Sequence, residues 1–290
     1  MAERTAPQNA SAVVVTTLRK EFRRRGAAAP LIAVDDVSFD VPPGGSLAIV
    51  GESGSGKTTI AKMIVGLETP TSGTIAVGGR DRSRPARSRA ERKARGREIQ
   101  IVFQDPYTSL DRRQTAEDCV AEVLRFHFGM QGAQLAQRVD HFGGLVGLDG
   151  RMLRSRPRAL SGGQRQRVAI ARALAAEPSV LILDESVAAL DVSIQAQVLN
   201  LLADIRSATG VSYVFISHDL AAVRQVTDSV IVMHRGRVVE TGPVDRVLDD
   251  PQADYTKLLR ASVPRPGWRP LARAERMARA EPHRAEQESP

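Results

Sequence analysis

The chain has 290 residues, 42% hydrophobic and 26% charged, the balance of a globular protein with enough length to bury a substantial core as one large domain or two small ones. No apolar run approaches the about 18–20 residues of a bilayer-spanning helix, no apolar signal segment is expected in Met1–Ser11, and Cys119 is the single cysteine, which excludes an internal disulfide or a cysteine-held metal cluster and predicts a reducing, cytoplasmic setting. The formal charge is +8, yet only five basic residues are lysines against 36 arginines, a bias in an Ala-rich chain that fits a GC-rich coding sequence better than a nucleic-acid partner.

Residues 1–11 read as a flexible polar arm. Val13–Thr17 and Val34–Val41 read as strands, Pro42–Gly45 as a tight turn and Ser46–Val50 as a short apolar strand. Gly51–Gly56 is a glycine-rich loop feeding a helix from Lys57 to Leu67. Thr74–Val77 and Ile99–Phe103 are further strands, and Arg80–Arg97 between them carries eight arginines and Lys93, a solvated surface or a patch for anionic headgroups. From Thr115 to Arg158 apolar residues recur at helical spacing, and Ser161 is placed to cap a helix over Gly162–Ala175. Strand Val180–Leu183, helix Ser193–Thr209, strands Val211–Ile216, Ser229–Met233 and Arg237–Glu240, and a closing helix Asp254–Arg260 complete the pattern. Within the Arg- and Pro-rich tail 264–290, Pro264–Pro270 reads as an extended exit and 271–290 as too charged and too poor in apolar residues to pack alone. Strands alternating with helices predict an α/β sheet, with the middle helical stretch as an inserted lobe.

The sharpest chemical signal is Gly51-Glu52-Ser53-Gly54-Ser55-Gly56-Lys57-Thr58, a full G-x-x-x-x-G-K-[ST] match between a strand and a helix. Glycines let successive N–H groups turn toward an anion, and a helix N-terminus adds partial positive charge. Lys57 is then placed for the β- and γ-phosphates and the Thr58 hydroxyl for Mg²⁺, with Thr59 next in the helix. Leu181–Glu185 is an apolar strand ending in two acids: Asp184 suits a magnesium-holding role and Glu185 the polarisation of an attacking water. Leu160-Ser161-Gly162-Gly163-Gln164 places two glycines at a helix start, a choice that costs helix stability and implies close backbone approach to something negative. His127, His141, His234 and His283 lack metal-ligand spacing and read as structural or solvated, and Cys119 as a buried small residue.

Residues Leu160–Gln164 resemble the signature motif of ATP-binding-cassette (ABC) ATPases, a likeness that extends over about residues 13–263. The resemblance implies a P-loop ATPase core sheet with an antiparallel β subdomain and a helical subdomain inserted at about 105–160, within a nucleotide-binding domain over 12–263. It also implies Gln104 as the glutamine that senses nucleotide and Mg²⁺, Ala188–Asp191 as the D-loop, His218 as the histidine facing the γ-phosphate, and Phe22 as the aromatic that stacks on adenine, although an aromatic at a strand end is as often core packing. Ser186 stands where the family usually has proline and Ala188 where it usually has serine, departures that fit a pair of sites of unequal strength.

Phe103–Arg112, Leu190–Leu202 and Pro251–Leu259 are similar to the oligopeptide, dipeptide and nickel importer branch. That branch implies ATP and Mg²⁺ as cofactors, a second ATPase subunit, two transmembrane permeases, a solute-binding protein outside the membrane, and a peripheral place on the membrane's cytoplasmic face. Two ATPs would lie between Gly51–Thr59 of one chain and Leu160–Gln164 of the other. Two alternatives stay open: an importer of another solute such as nickel, and a non-transport ABC ATPase acting on nucleic acid or ribosomes. Against the second stand the single cassette, the lack of a long heptad segment and the lone cysteine, so no nucleic acid is expected.

Overall fold

The computed structural model describes residues 11–23, 29–105 and 109–262. Apart from Ser11, the expected arm and the tail over 264–290 lie outside these residues, as does His283. Among the described residues, ten strands form two sheets. The first is antiparallel and joins β1 (Val13–Phe22), β2 (Leu31–Val41), β4 (Ser72–Val77) and β5 (Arg80–Asp81) in the order β2-β1-β4-β5. The second runs β10-β9-β3-β8-β7-β6, from β3 (Ser46–Val50), β6 (Ile99–Val102), β7 (Val180–Asp184), β8 (Ser212–Ile216), β9 (Ser229–His234) and β10 (Arg237–Pro243). Its strands pair in parallel except for the β9–β10 hairpin.

Alternation within the parallel strands divides the core. Leu47, Ile49, Val180, Ile182, Val214 and Ile216 face the antiparallel sheet and helix α1 (Lys57–Val65). Ala48, Val50, Leu181, Leu183, Tyr213 and Phe215 face the remaining helical layer. With both faces covered, β3, β7 and β8 are buried at every position, which is why their sequences are continuous apolar runs. The second face carries α3 (Ala116–Phe128), α4 (Gly132–Leu145), the short α5 (Gly150–Leu153), α6 (Gly162–Leu174), α7 (Val192–Thr209), α8 (Leu220–Val226) and α9 (Val244–Asp249). Helix α10 (Asp254–Ala261) leans on it through Tyr255 and Leu259. Val120 and Leu124 of α3 thus share one apolar cluster with the sheet, and Cys119 is buried there with its thiol pushed up to about 11.

The structure adds three helices to those legible in the sequence. α2 (Arg89–Glu98) buries none of its residues and so has no apolar periodicity. It is held instead by the Ser88 cap on Glu91 N and the Glu91–Arg95 pair one turn apart. The basic stretch 80–97 is therefore not uniformly solvated: Arg82 is buried, and Arg80 and Arg82 both pair with Glu98. The seven-residue α8, capped by Asp219, and the six-residue α9 are too short to leave a pattern. Helix α1 ends two residues early because Gly66, at φ 82°, turns its N–H back onto the Lys62 and Met63 carbonyls.

Candidate active site

Four parallel strands deliver the expected residues to one edge. The glycine loop leaves the carboxyl end of β3, Asp184 ends β7, His218 follows β8 and Gln104 follows β6. The crevice outside the carboxyl ends of such strands is where open α/β sheets hold ligands. Gly51, Gly54 and Gly56 have φ of 150°, 82° and 105°. A side chain at Gly51 would overlap the Met233 carbonyl oxygen and one at Gly56 the Ala33 carbonyl oxygen, whereas nothing lies within 4 Å of the position at Gly54. Two glycines thus pack the loop against β9 and β2, and the third leaves a concavity open.

Inside the loop, Lys57 is buried and its ammonium donates to the carbonyls of Gly51 and Glu52, each at 2.8 Å. Burial pulls this ammonium below its ordinary pKa, and Glu185, Asp184 and Glu52 oppose that pull. The Thr58 hydroxyl donates to Asp184 Oδ1 at 3.2 Å, joining the first turn of α1 to the end of β7. Burial raises the Asp184 carboxyl above its ordinary value, and neighbouring Glu185 pushes the same way. Ser53 and Gly54 are exposed, Ser55 is buried and Thr59 half-buried.

Glu185 has a left-handed backbone, φ 48°, with its N–H on the Ile216 carbonyl at 2.9 Å. Its carboxylate lies 3.6 Å from Nδ1 of the exposed His218. Two hard oxygens, Thr58 Oγ1 and Asp184 Oδ1, therefore stand beside an open glycine cradle, the donor chemistry that suits Mg²⁺ with phosphate and water in its remaining positions.

The signature residues stand apart from this cluster. Ser161 and Gln164 form a reciprocal capping box at the start of α6, and the Gln164 amide nitrogen reaches back to Met152 Sδ. Gly162 has space, with Leu190 at 3.6 Å from a notional side chain. Gly163 is buried, and a side chain there would overlap Ile194 Cγ2 of α7. The absence of a side chain at Gly163 therefore also lets two helices touch. Asp191 is exposed at the N-cap of α7. Gln104 is exposed, and Phe22, half-buried at the end of β1, stacks under the Lys20 ammonium at 4.8 Å.

One contact was not legible. The Tyr255 hydroxyl of α10 accepts the Glu52 N–H at 3.1 Å, and its ring stacks on His234 with centroids 4.0 Å apart. The partners are 203 residues apart, and no local pattern announces the pair. His234 is structural as expected, and burial holds it below its ordinary pKa.

The model of the ABC transporter family matches residues 34–188. The glutathione import ATP-binding protein GsiA of Escherichia coli K12 is 47% identical over 234 residues, 80% of this chain but 37% of GsiA. The di/tripeptide transport ATP-binding protein DppF of Pseudomonas aeruginosa is 43% identical over 232 residues, 80% of this chain and 71% of DppF. Among solved structures, the dimeric post-hydrolysis state of the ATP-binding cassette MJ0796, bound to ADP and Pi, superposes with a TM-score of 0.72 at 28% identity, covering 80% of this chain and 98% of that one. With the loop, the paired acids and the capped signature helix in this arrangement, the chain belongs to the ABC transporter family and is one of its ATPases.

Proposed function

We propose that this chain hydrolyses MgATP to power import of di- and oligopeptides, working at the cytoplasmic face of the membrane beneath two permeases and beside a second, similar ATPase. A binding protein outside the membrane would hand over the solute. The observation that carries the ATPase half is the meeting of Lys57, Thr58, Asp184 and Glu185 at one sheet edge; the peptide half draws on the names of GsiA and DppF. No helix among the described residues is long and apolar enough to cross a membrane.

In this reading the N–H groups of Gly51–Thr59 receive the phosphates and Lys57 turns from its two carbonyls toward the β- and γ-oxygens. Thr58, Asp184 and Gln104 would hold the Mg²⁺, which would neutralise phosphate charge. Glu185 orients the attacking water, with His218 beside it on the γ-phosphate. Phe22 stacks on adenine. Ser161–Gln164 and Asp191, remote from the loop of their own chain, close over the nucleotide of the partner ATPase. The catalytic unit spans 12–263 with a helical subdomain at 105–160, flanked by the arm 1–11 and the tail 264–290.

Affinity purification from the native cells in mild detergent, with mass spectrometry, tests the assembly. Two polytopic permeases and a second ATPase are expected; ribosomal or DNA-processing proteins without a permease would overturn it. The chemistry is tested by Glu185→Gln, which should retain ATP while phosphate release falls by about 100-fold or more. Near-normal turnover would remove Glu185 from its role.

A further inference from the structure

Glu52 is held at both of its backbone polar groups. Its carbonyl accepts the Lys57 ammonium at 2.8 Å and the Ser55 N–H at 3.2 Å, and its N–H donates to the Tyr255 hydroxyl at 3.1 Å. That N–H lies in one peptide plane with the Gly51 carbonyl, which also accepts the Lys57 ammonium at 2.8 Å, so the tilt of the Gly51–Glu52 peptide helps fix where the ammonium waits. Tyr255 is itself immobilised from two sides. His234, at the end of β9, lies nearly parallel to its ring, 16° between planes. Glu240 of β10 takes the N–H groups of Gln252 and Ala253, at 2.8 and 3.1 Å, and so ties down the entry to α10. A fixed chain of contacts thus runs from the β9–β10 hairpin through α10 to the glycine loop.

We propose that Tyr255 is a positioning residue of the nucleotide site: its hydroxyl orients the Gly51–Glu52 peptide and thereby the Gly51 carbonyl on which Lys57 rests before phosphate arrives. The proposal rests on reading Gly51–Thr59 as the phosphate cradle. It assigns work on ATP to a helix beyond residues 34–188, the span of the family match. Tyr255 meets the loop at the Glu52 N–H, away from Glu185 and His218 in sequence and element, so its effect falls on nucleotide affinity, with little on the hydrolytic step. Glu52 is exposed, so water replaces the phenol when it is removed and the free protein keeps its stability. What is lost is the fixed orientation of one peptide, an effect the size of one hydrogen bond, about 3- to 10-fold in affinity.

The test uses the full chain with MgATP turnover, equilibrium binding of ADP and thermal unfolding without nucleotide. Tyr255→Phe keeps the ring on His234 and deletes only the acceptor; KM for ATP and Kd for ADP should rise about 3- to 10-fold, with kcat within about twofold and Tm unchanged. Leu259→Ala loosens α10 while keeping the hydroxyl, and should lower Tm while leaving KM in place. Unchanged KM and Kd in Tyr255→Phe would overturn the proposal, as would an equal rise in Leu259→Ala, which would assign the effect to helix packing. Lys57→Ala separates the two readings. If it binds ADP like wild type, the cradle reading fails and takes the proposal with it. If it loses ADP while Tyr255→Phe does not, the positioning role alone falls.

Discussion

At the scale of single residues, the three loop glycines differ in the fold, and Gly51 and Gly56 hold the fixed glycine positions of the motif while Gly54 falls on an unspecified one. Gly51 and Gly56 abut backbone oxygens of β9 and β2, while Gly54 faces open space. Gly51→Ala should therefore cost about 2–3 kcal/mol or more, because neither the Met233 carbonyl nor the loop can yield freely. Gly54→Ala should cost about 1 kcal/mol, the penalty of a left-handed backbone alone. Denaturant unfolding of the two variants checks the ranking, and equal losses would contradict it. These assignments were legible only in part. The eight-residue motif is contiguous, so its residue types announce an anion cradle, but which glycine packs and which stays open depends on strands distant in sequence.

Between elements, the signature helix shows how a motif proposed to meet a ligand also serves packing. Gly163 brings α6 against Ile194 of α7. Gly163→Ala should cost about 1–3 kcal/mol by overpacking. Adding Ile194→Ala should recover part of that loss, giving a favourable coupling in a double-mutant cycle measured by unfolding. Additive losses would mean that the two side chains do not compete for the space. Strands and long helices were legible because burial on one or both faces writes a periodicity into the sequence; β3 was read to the residue. Helix α2 escaped because it buries nothing, and α8 and α9 because two turns or fewer leave no period.

Across the whole molecule, the foot of the parallel sheet is tied together by Arg206. It donates to the Gly44 and Val226 carbonyls, the Ser46 hydroxyl and both oxygens of Asp228, at 2.6–3.2 Å. Burial alone would raise the Asp228 carboxyl, yet the bonds from Arg206 and Ser46 hold it below its ordinary value. A depressed carboxylate contributes stability in full above its unfolded pKa, about 4, and loses it as pH falls through the native value. The stability gap between wild type and Asp228→Asn should therefore be about 1 kcal/mol near pH 7, given the exposure of the pair. It should shrink below about pH 4 in an unfolding series. A gap that widens on acidification would contradict the assignment. The network joins residues up to 182 positions apart, which composition and spacing cannot reveal.

Glu185 keeps a left-handed backbone that most L-residues avoid at about 1–2 kcal/mol. Glycine relieves that strain, and asparagine tolerates it better than glutamate. A lineage under selection for thermal endurance alone would drift toward those residues at this position and lose the carboxylate with the strain. Under the water-orienting role proposed for Glu185, such a drift would trade turnover for endurance. The same position warns the engineer that a consensus of hardened variants can converge on an inert enzyme.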